Sequence, residues 1–276
     1  MKRRIFLIFS LGIISLNGIA REQDSRDSVY KAYLSEQEVL NQSFARYFYG
    51  NHTEIYSLKE KEFIYIIDSL RINFIDLLAS FKKENPDYDQ STIYKESKEI
   101  KYFFDKCILD YPYHHKKFTG ESVAFNQRLD SNLKEFNNPR LLEIESYVEY
   151  LKAFLYFQSK IELEKEACKI RDNQQLNATL NLIPEYFSNQ EVIDYLKFYY
   201  LYDHIDNLGI KNIEDQYNHF IATCKDTSYI NKTETFYTNQ ANGRKGHLIK
   251  TYKTVDSHDL DMHIFLPEKN TQTNKR

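Results

Sequence analysis

Tryptophan is absent from the 276 residues, and glycine, proline, cysteine and methionine are scarce, at seven, five, three and two. The shortage of glycine excludes most. An intact α/β enzyme builds its tight turns and ligand loops on glycine, which reaches positive φ without steric cost, and seven leave few such loops. The cysteines, Cys107, Cys168 and Cys224, lie far apart with no CxxC, which excludes a thioredoxin-type redox pair and a zinc knuckle. Cys107 and Cys224 fall on the apolar stripes of predicted helices and are expected as small buried hydrophobes. A disulfide stays open to an exported protein, with the pair unassigned. A phosphate loop, a dinucleotide fingerprint and HExxH are also missing. A strong charge of one sign is lacking too: the net charge is −3, acids and bases are interspersed, and no basic face marks a nucleic-acid binder. The absent tryptophan, beside abundant Tyr, Phe, Ile, Asn and Lys, suits an AT-rich bacterial genome and carries no functional weight.

Long apolar runs are missing everywhere except at the N-terminus. There Lys2, Arg3 and Arg4 form a basic stretch, Ile5 to Leu16 an apolar one, and Gly18-Ile19-Ala20 a small-residue cleavage site. That order predicts a Sec-type signal peptide over 1–20, with the mature chain beginning near Arg21 and a periplasmic or secreted location. The residue directly after the cleavage point is Arg21 rather than cysteine, so a lipid anchor is not expected. No later run is long enough to span a bilayer.

What is present reads as helix. The apolar spacing predicts helices over about 24–49, 57–84, 92–110, 138–172, 175–187, 189–207, 212–224 and 228–241. Ser57 with Glu60 and Ser188 with Glu191 match the capping box, Asn138-Pro139 matches a cap followed by proline, and Asn212 reads as another cap. Asn85-Pro86 and Tyr111-Pro112 are expected to stop helices, and Pro184 to kink or split one. Asn207-Leu208-Gly209 reads as a left-handed stop. The stretch 113–137 reads as a surface loop with a short helix in it. Short links without strands predict an irregular antiparallel helical array with no fixed repeat, a mainly α domain over 21–242.

After the flexible break 242–246 the period changes from 3.6 to 2. Leu248–Val255 and Leu260–Leu266 alternate like strands around the turn 256–259, predicting a β-hairpin over 247–267 and a disordered tail over 268–276.

Candidate sites are few. His114-His115, beside Lys116 and Lys117, read as an exposed loop rather than metal ligands. His204 and Asp206 sit near a helix end, where a histidine serves the last carbonyls. His258, Asp259, Asp261 and His263 look ligand-like but fall in a turn and on a solvent face. Gly120-Glu121-Ser122-Val123-Ala124 is a superficial nucleophile elbow, with no buried strand before it and Ala at its fifth position, so Ser122 reads as a local cap. No residue is assigned as catalytic, as cofactor-binding or as a metal ligand, and no cofactor is implied.

Two resemblances cover different parts. The pair Tyr252-Lys253-Thr254-Val255-Asp256 and Leu260-Asp261-Met262-His263-Ile264-Phe265-Leu266-Pro267 resembles the first hairpin of esterase-type α/β-hydrolases. The resemblance implies that a buried strand, a His-Gly-Gly oxyanion loop, the Ser elbow and the rest of the triad follow. The chain stops at Arg276, before those positions, so no catalytic residue carries over. The Tyr111-Pro112 turn, Asn138-Pro139-Arg140-Leu141-Leu142, Tyr147 and Tyr150-Leu151 resemble the helical segment before the thioredoxin domain in exported TlpA-like proteins of the Bacteroidetes type. The expectation is thus an exported, non-catalytic helical domain ahead of a truncated α/β-hydrolase, inactive as a hydrolase in this form. The alternatives are a complete exported binding or scaffold module, or a TlpA-like chain without its redox domain. The partner of the helices, protein or small molecule, is unassigned.

Overall fold

A computed structural model describes residues 20–123, 132–165, 173–243, 247–252 and 262–266. The predicted leader, Cys168, Ala124 and the turn at 256–259 lie outside the described residues. Mainly helical is the observed class. The chain divides into two compact units, Met1–Ser97 and Lys98–Arg276.

The first unit holds α1 (Ala20–Phe44), a π-helical turn (Ala45–Tyr49), α2 (His52–Ser57), α3 (Glu60–Glu84) and the first turns of α4 (Gln90–Thr119). The 3-4 rhythm of α3 buries Phe63, Ile67, Phe74, Leu78 and Phe81. Tyr33 of α1 packs on Phe81 at 4.8 Å, and α1 lies along α3. The π turn keeps Phe44 and Phe48 stacked 4.9 Å apart inside the core. Gly50 follows it in right-handed conformation, where a Cβ would overlap the Arg46 carbonyl, so glycine is needed for space rather than for φ. The expected box at Ser57 does not form. Ser57 ends α2 and donates to the Thr53 carbonyl at 2.6 Å, and α3 begins after Lys59 without a side-chain cap. The next helix is capped by Asp89, which accepts from the Ser91 and Thr92 amides.

The second unit contains the rest of α4, a 3-10 turn (Pro139–Glu143), α5 (Glu145–Lys165), α6 (Gln174–Tyr186), α7 (Gln190–Leu208), α8 (Glu214–Thr223) and α9 (Thr227–Gly243). α5 packs on α6, α6 on α7, and α7 on α8 and α9. Its larger core joins Tyr102, Phe136, Leu141, Tyr147, Leu151, Phe154, Leu182, Ile183, Phe187, Val192 and Leu196. A second cluster gathers Leu176, Leu201, Ile205, Ile213, Phe220 and Cys224. Cys107 and Cys224 are buried, as their places on apolar helical stripes predicted.

Pro112 does not stop α4, which runs through it to Thr119. Proline removes one helical hydrogen bond, but Tyr111 and His115 on either side are buried, with rings 4.9 Å apart. Gly120, at φ 81, makes the actual stop. Pro184 likewise lies inside α6, which continues as one helix to Tyr186. Asn138 caps as expected, accepting from the Arg140 amide, but opens only the 3-10 turn. Ile144 is extended, and α5 starts after it. At α7 the cap is Asn189, not Ser188: its side chain accepts from the Glu191 and Val192 amides. Asn212 takes φ 57 instead of capping, and α8 begins two residues on. Gly209, at φ 79, ends α7 where the glycine was expected.

β1 (His247–Tyr252) and β2 (Met262–Leu266) pair antiparallel, His247 opposite Leu266 and Tyr252 opposite Met262.

Candidate functional site

Among the described residues of the second unit, a connected group of charged and polar side chains is built on one face of α4. Lys98, Lys101, Tyr102 and Asp105 recur at helical spacing, so their side chains rise together. Onto them the segment 132–136 lays Asn132 and Glu135. Lys98 Nζ reaches one Glu135 oxygen at 2.7 Å, and the Tyr102 hydroxyl donates to the other. Lys101 donates to the Asn132 side-chain oxygen and lies 3.5 Å from Asp105. Asn132 closes the circuit, donating to Asp105 at 3.0 Å. The Tyr147 hydroxyl of α5 donates to the Glu135 backbone carbonyl at 3.0 Å. Tyr102, Tyr147 and Asn132 are fully or almost fully buried, whereas Glu135 keeps a third of its side chain in solvent.

The electrostatics suit a tie between elements. Burial disfavours ionised Glu135, yet the hydrogen bonds from Lys98 and Tyr102 and the charge of Lys101 outweigh it, and its pKa falls below the ordinary carboxylate value. Burial raises the phenols of Tyr102, Tyr147 and Tyr150 and lowers the ammonium of Lys101. Glu135 is therefore held as an acceptor and the tyrosines as donors, and neither is poised to exchange protons near neutral pH. Because the folded-state pKa of Glu135 is depressed, its contribution is complete above the unfolded carboxylate value. It is lost as pH falls through the folded value. We expect Glu135→Gln to flatten the acid limb of stability against pH, read from urea midpoints between about pH 3 and 7; an unchanged acid limb would show that the carboxylate is not held.

Elsewhere in the second unit the same device recurs. The Glu99 carboxylate accepts from the Glu145 and Ser146 amides, each at 2.9 Å, and so caps α5 from another helix. The Asn137 side chain accepts from the Ser188 and Asn189 amides. Buried Asp194 accepts from the Lys225 and Asp226 amides and from Gln190. Lys152 is bonded to Glu149 and lies 4.1 Å over the Tyr199 ring. In the first unit Glu96 accepts from Tyr30, Tyr33 and Gln37.

Among the described residues, those singled out in the sequence form no common site. His115 is buried in α4 rather than exposed in a loop, 3.9 Å from the Glu121 carboxylate, and His114 stacks on Phe118. Ser122 is exposed beyond the end of α4. His204 is buried on α7, where burial lowers its pKa against the opposing charge of Asp203; Asp206 is exposed. His258, Asp259 and Asp261 lie outside the described residues, and His263 stands opposite Thr251 in the β ladder. Burial, aided by the Asp194 and Asp226 charges, pushes the Cys224 thiol up to about 11, so it is a poor nucleophile. Among the described residues no group of His, Cys, Asp and Glu is arranged to hold a metal ion. Nor is any described helix long and apolar enough to cross a membrane.

The α4 group was legible only in part. The Lys98, Lys101, Tyr102, Asp105 spacing is the signal that could have found it, but its partners lie 27 to 37 residues away. Comparison with protein-family models, with curated proteins and with solved structures found no match.

Proposed function

We propose that the helices form an exported, non-catalytic scaffold, an irregular antiparallel array released from its leader after Ala20. One observation carries this reading. The inward polar side chains Glu96, Glu99, Glu135, Asn137 and Asp194 are each engaged in holding a phenol, an ammonium or a backbone amide of another element. A catalytic group is kept available to substrate, whereas these act as caps and ties. The basic, apolar, small-residue order of residues 1–20 supports export. The alternation after Gly246 and the β1–β2 pairing support a second element of the proposal: the scaffold stands ahead of a hydrolase-type domain that this hairpin opens.

The test is ester hydrolysis by the purified mature chain. The expected result is no turnover above buffer, with wild type and Ser122→Ala indistinguishable. Clear turnover lost in Ser122→Ala would overturn the non-catalytic reading. Export is checked separately by N-terminal sequencing of the processed protein, expected to begin at Arg21.

A further inference from the structure

α9 ends on the pair Asn242-Gly243. The chain's other Asn-Gly pair, Asn17-Gly18, lies in the predicted leader, so Asn242-Gly243 is the one the mature protein carries. Asn242 is exposed, and the last turn of α9 has no basic side chain to bind its carbonyls. Other asparagines at helix ends are held. Asn51, Asn85 and Asn207 each donate through Nδ2 to the carbonyl four residues back, at 2.7, 2.9 and 2.9 Å. Among the described residues nothing holds the Asn242 side chain in that way.

We propose that Asn242 is a site of spontaneous modification, converted to aspartate and isoaspartate through attack by the Gly243 amide, with water as the only co-reactant. The backbone nitrogen of Gly243 loses its proton and bonds to Cγ of Asn242. The Cγ–Nδ2 bond breaks, and that nitrogen takes up a proton from water and leaves as ammonia. The cyclic succinimide then adds water. Opening at one carbonyl gives aspartate, and at the other isoaspartate, whose backbone runs through the former side chain. Glycine matters twice: it has no Cβ to crowd the nitrogen, and it leaves helical φ and ψ at little steric cost. In a formed helix the Gly243 amide points along the axis, back toward the Asn239 carbonyl, so the reaction needs the last turn open. Asn and Gly are poor helix formers and terminal turns fray, so opening is frequent at this end. Either product sets a carboxylate at the negative end of the α9 dipole, which loosens that turn just ahead of β1. Tyr237, stacked on Tyr217 at 4.0 Å, anchors the helix before it. The proposal does not depend on the scaffold reading and stands or falls by itself.

The test incubates the folded mature chain in mildly alkaline buffer at physiological temperature, then sequences its tryptic peptide Thr233–Arg244 by mass spectrometry. The expected result is a gain of about one dalton at Asn242 that grows with time and divides the peptide into aspartate and isoaspartate forms. Asn239, exposed in the same peptide, stays unchanged and serves as the control. Gly243→Ala slows the gain at least severalfold with the circular dichroism unchanged, and Asn242→Gln removes it. Amide hydrogen exchange at Ala241 is faster in the modified chain. A folded chain that gains no mass while the guanidinium-unfolded chain does would show that α9 stays closed over the pair, and overturns the proposal. Equal modification of Asn239, or a Gly243→Ala variant as fast as wild type, overturns it as well. Unchanged exchange at Ala241 overturns the loosening of the turn.

Discussion

Truncating Phe136 to alanine lowers the unfolding free energy by about 3–5 kcal/mol, the largest loss expected of any single truncation here. The ring is fully buried. It stacks on Phe187 at 5.3 Å and 10°, meets Phe154 edge-on at 4.9 Å and touches Tyr150 at 6.1 Å. Three aromatic partners cannot close over the hole without moving α5 or the end of α6, so most of the cavity remains. Position adds a second cost. Phe136 lies between Glu135, which ties the segment to α4, and Asn137, which holds the Ser188 and Asn189 amides. Unseating the ring loosens both. Thermal unfolding should shift down by roughly 10 °C, and Phe136→Leu should recover about half of that. A shift of about 2 °C or less for the alanine variant would mean that the segment is not packed as described.

Asp194→Ala is expected to cost about 2–3 kcal/mol through lost hydrogen bonds rather than lost volume. Asp194 is almost wholly buried, and its carboxylate accepts from Lys225 N at 2.7 Å, Asp226 N at 3.2 Å and Gln190 Nε2 at 2.7 Å. The two amides belong to the turn between α8 and α9. Asp226 there caps α9 in turn, accepting from the Ser228 and Tyr229 amides. Removing Asp194 leaves donors with water as their only replacement and frees the turn that starts α9. Asn at this position keeps one acceptor and the shape, and should lose roughly half as much. Hydrogen exchange at Lys225 and Asp226 is the local readout. Exchange there no faster than in the wild type would contradict the assignment.

The helices were largely legible, because apolar spacing reports burial directly. The stripe of α3 and the inward cysteines were read from it correctly. Helix ends were less legible, because the decisive partner is often remote. Asn138-Pro139 looked like the start of a long helix, but α5 begins at Glu145, where Glu99 from 46 residues away supplies the cap. The Ser188 box lost to Asn189 because Asn137 holds the Ser188 amide and sets the approach of the chain. Tyr111-Pro112 failed as a stop since a proline's local penalty is smaller than the burial of Tyr111 and His115. The α4 polar group was missed for the same reason as the caps: Asn132 and Glu135 stand on the segment 132–136, inside a stretch that reads as a surface loop with a short helix in it.

The central claim is that the inward polar groups hold the helices together and do not serve a substrate. Residues kept for binding or catalysis are commonly a burden on stability, and replacing them raises it. Structural ties behave in the opposite way. The direct measurement is therefore the urea midpoint of Glu135→Gln against wild type at pH 7. A fall equivalent to about 1–3 kcal/mol is the result predicted here. A midpoint that rises would contradict the account and mark the Glu135 group as a site.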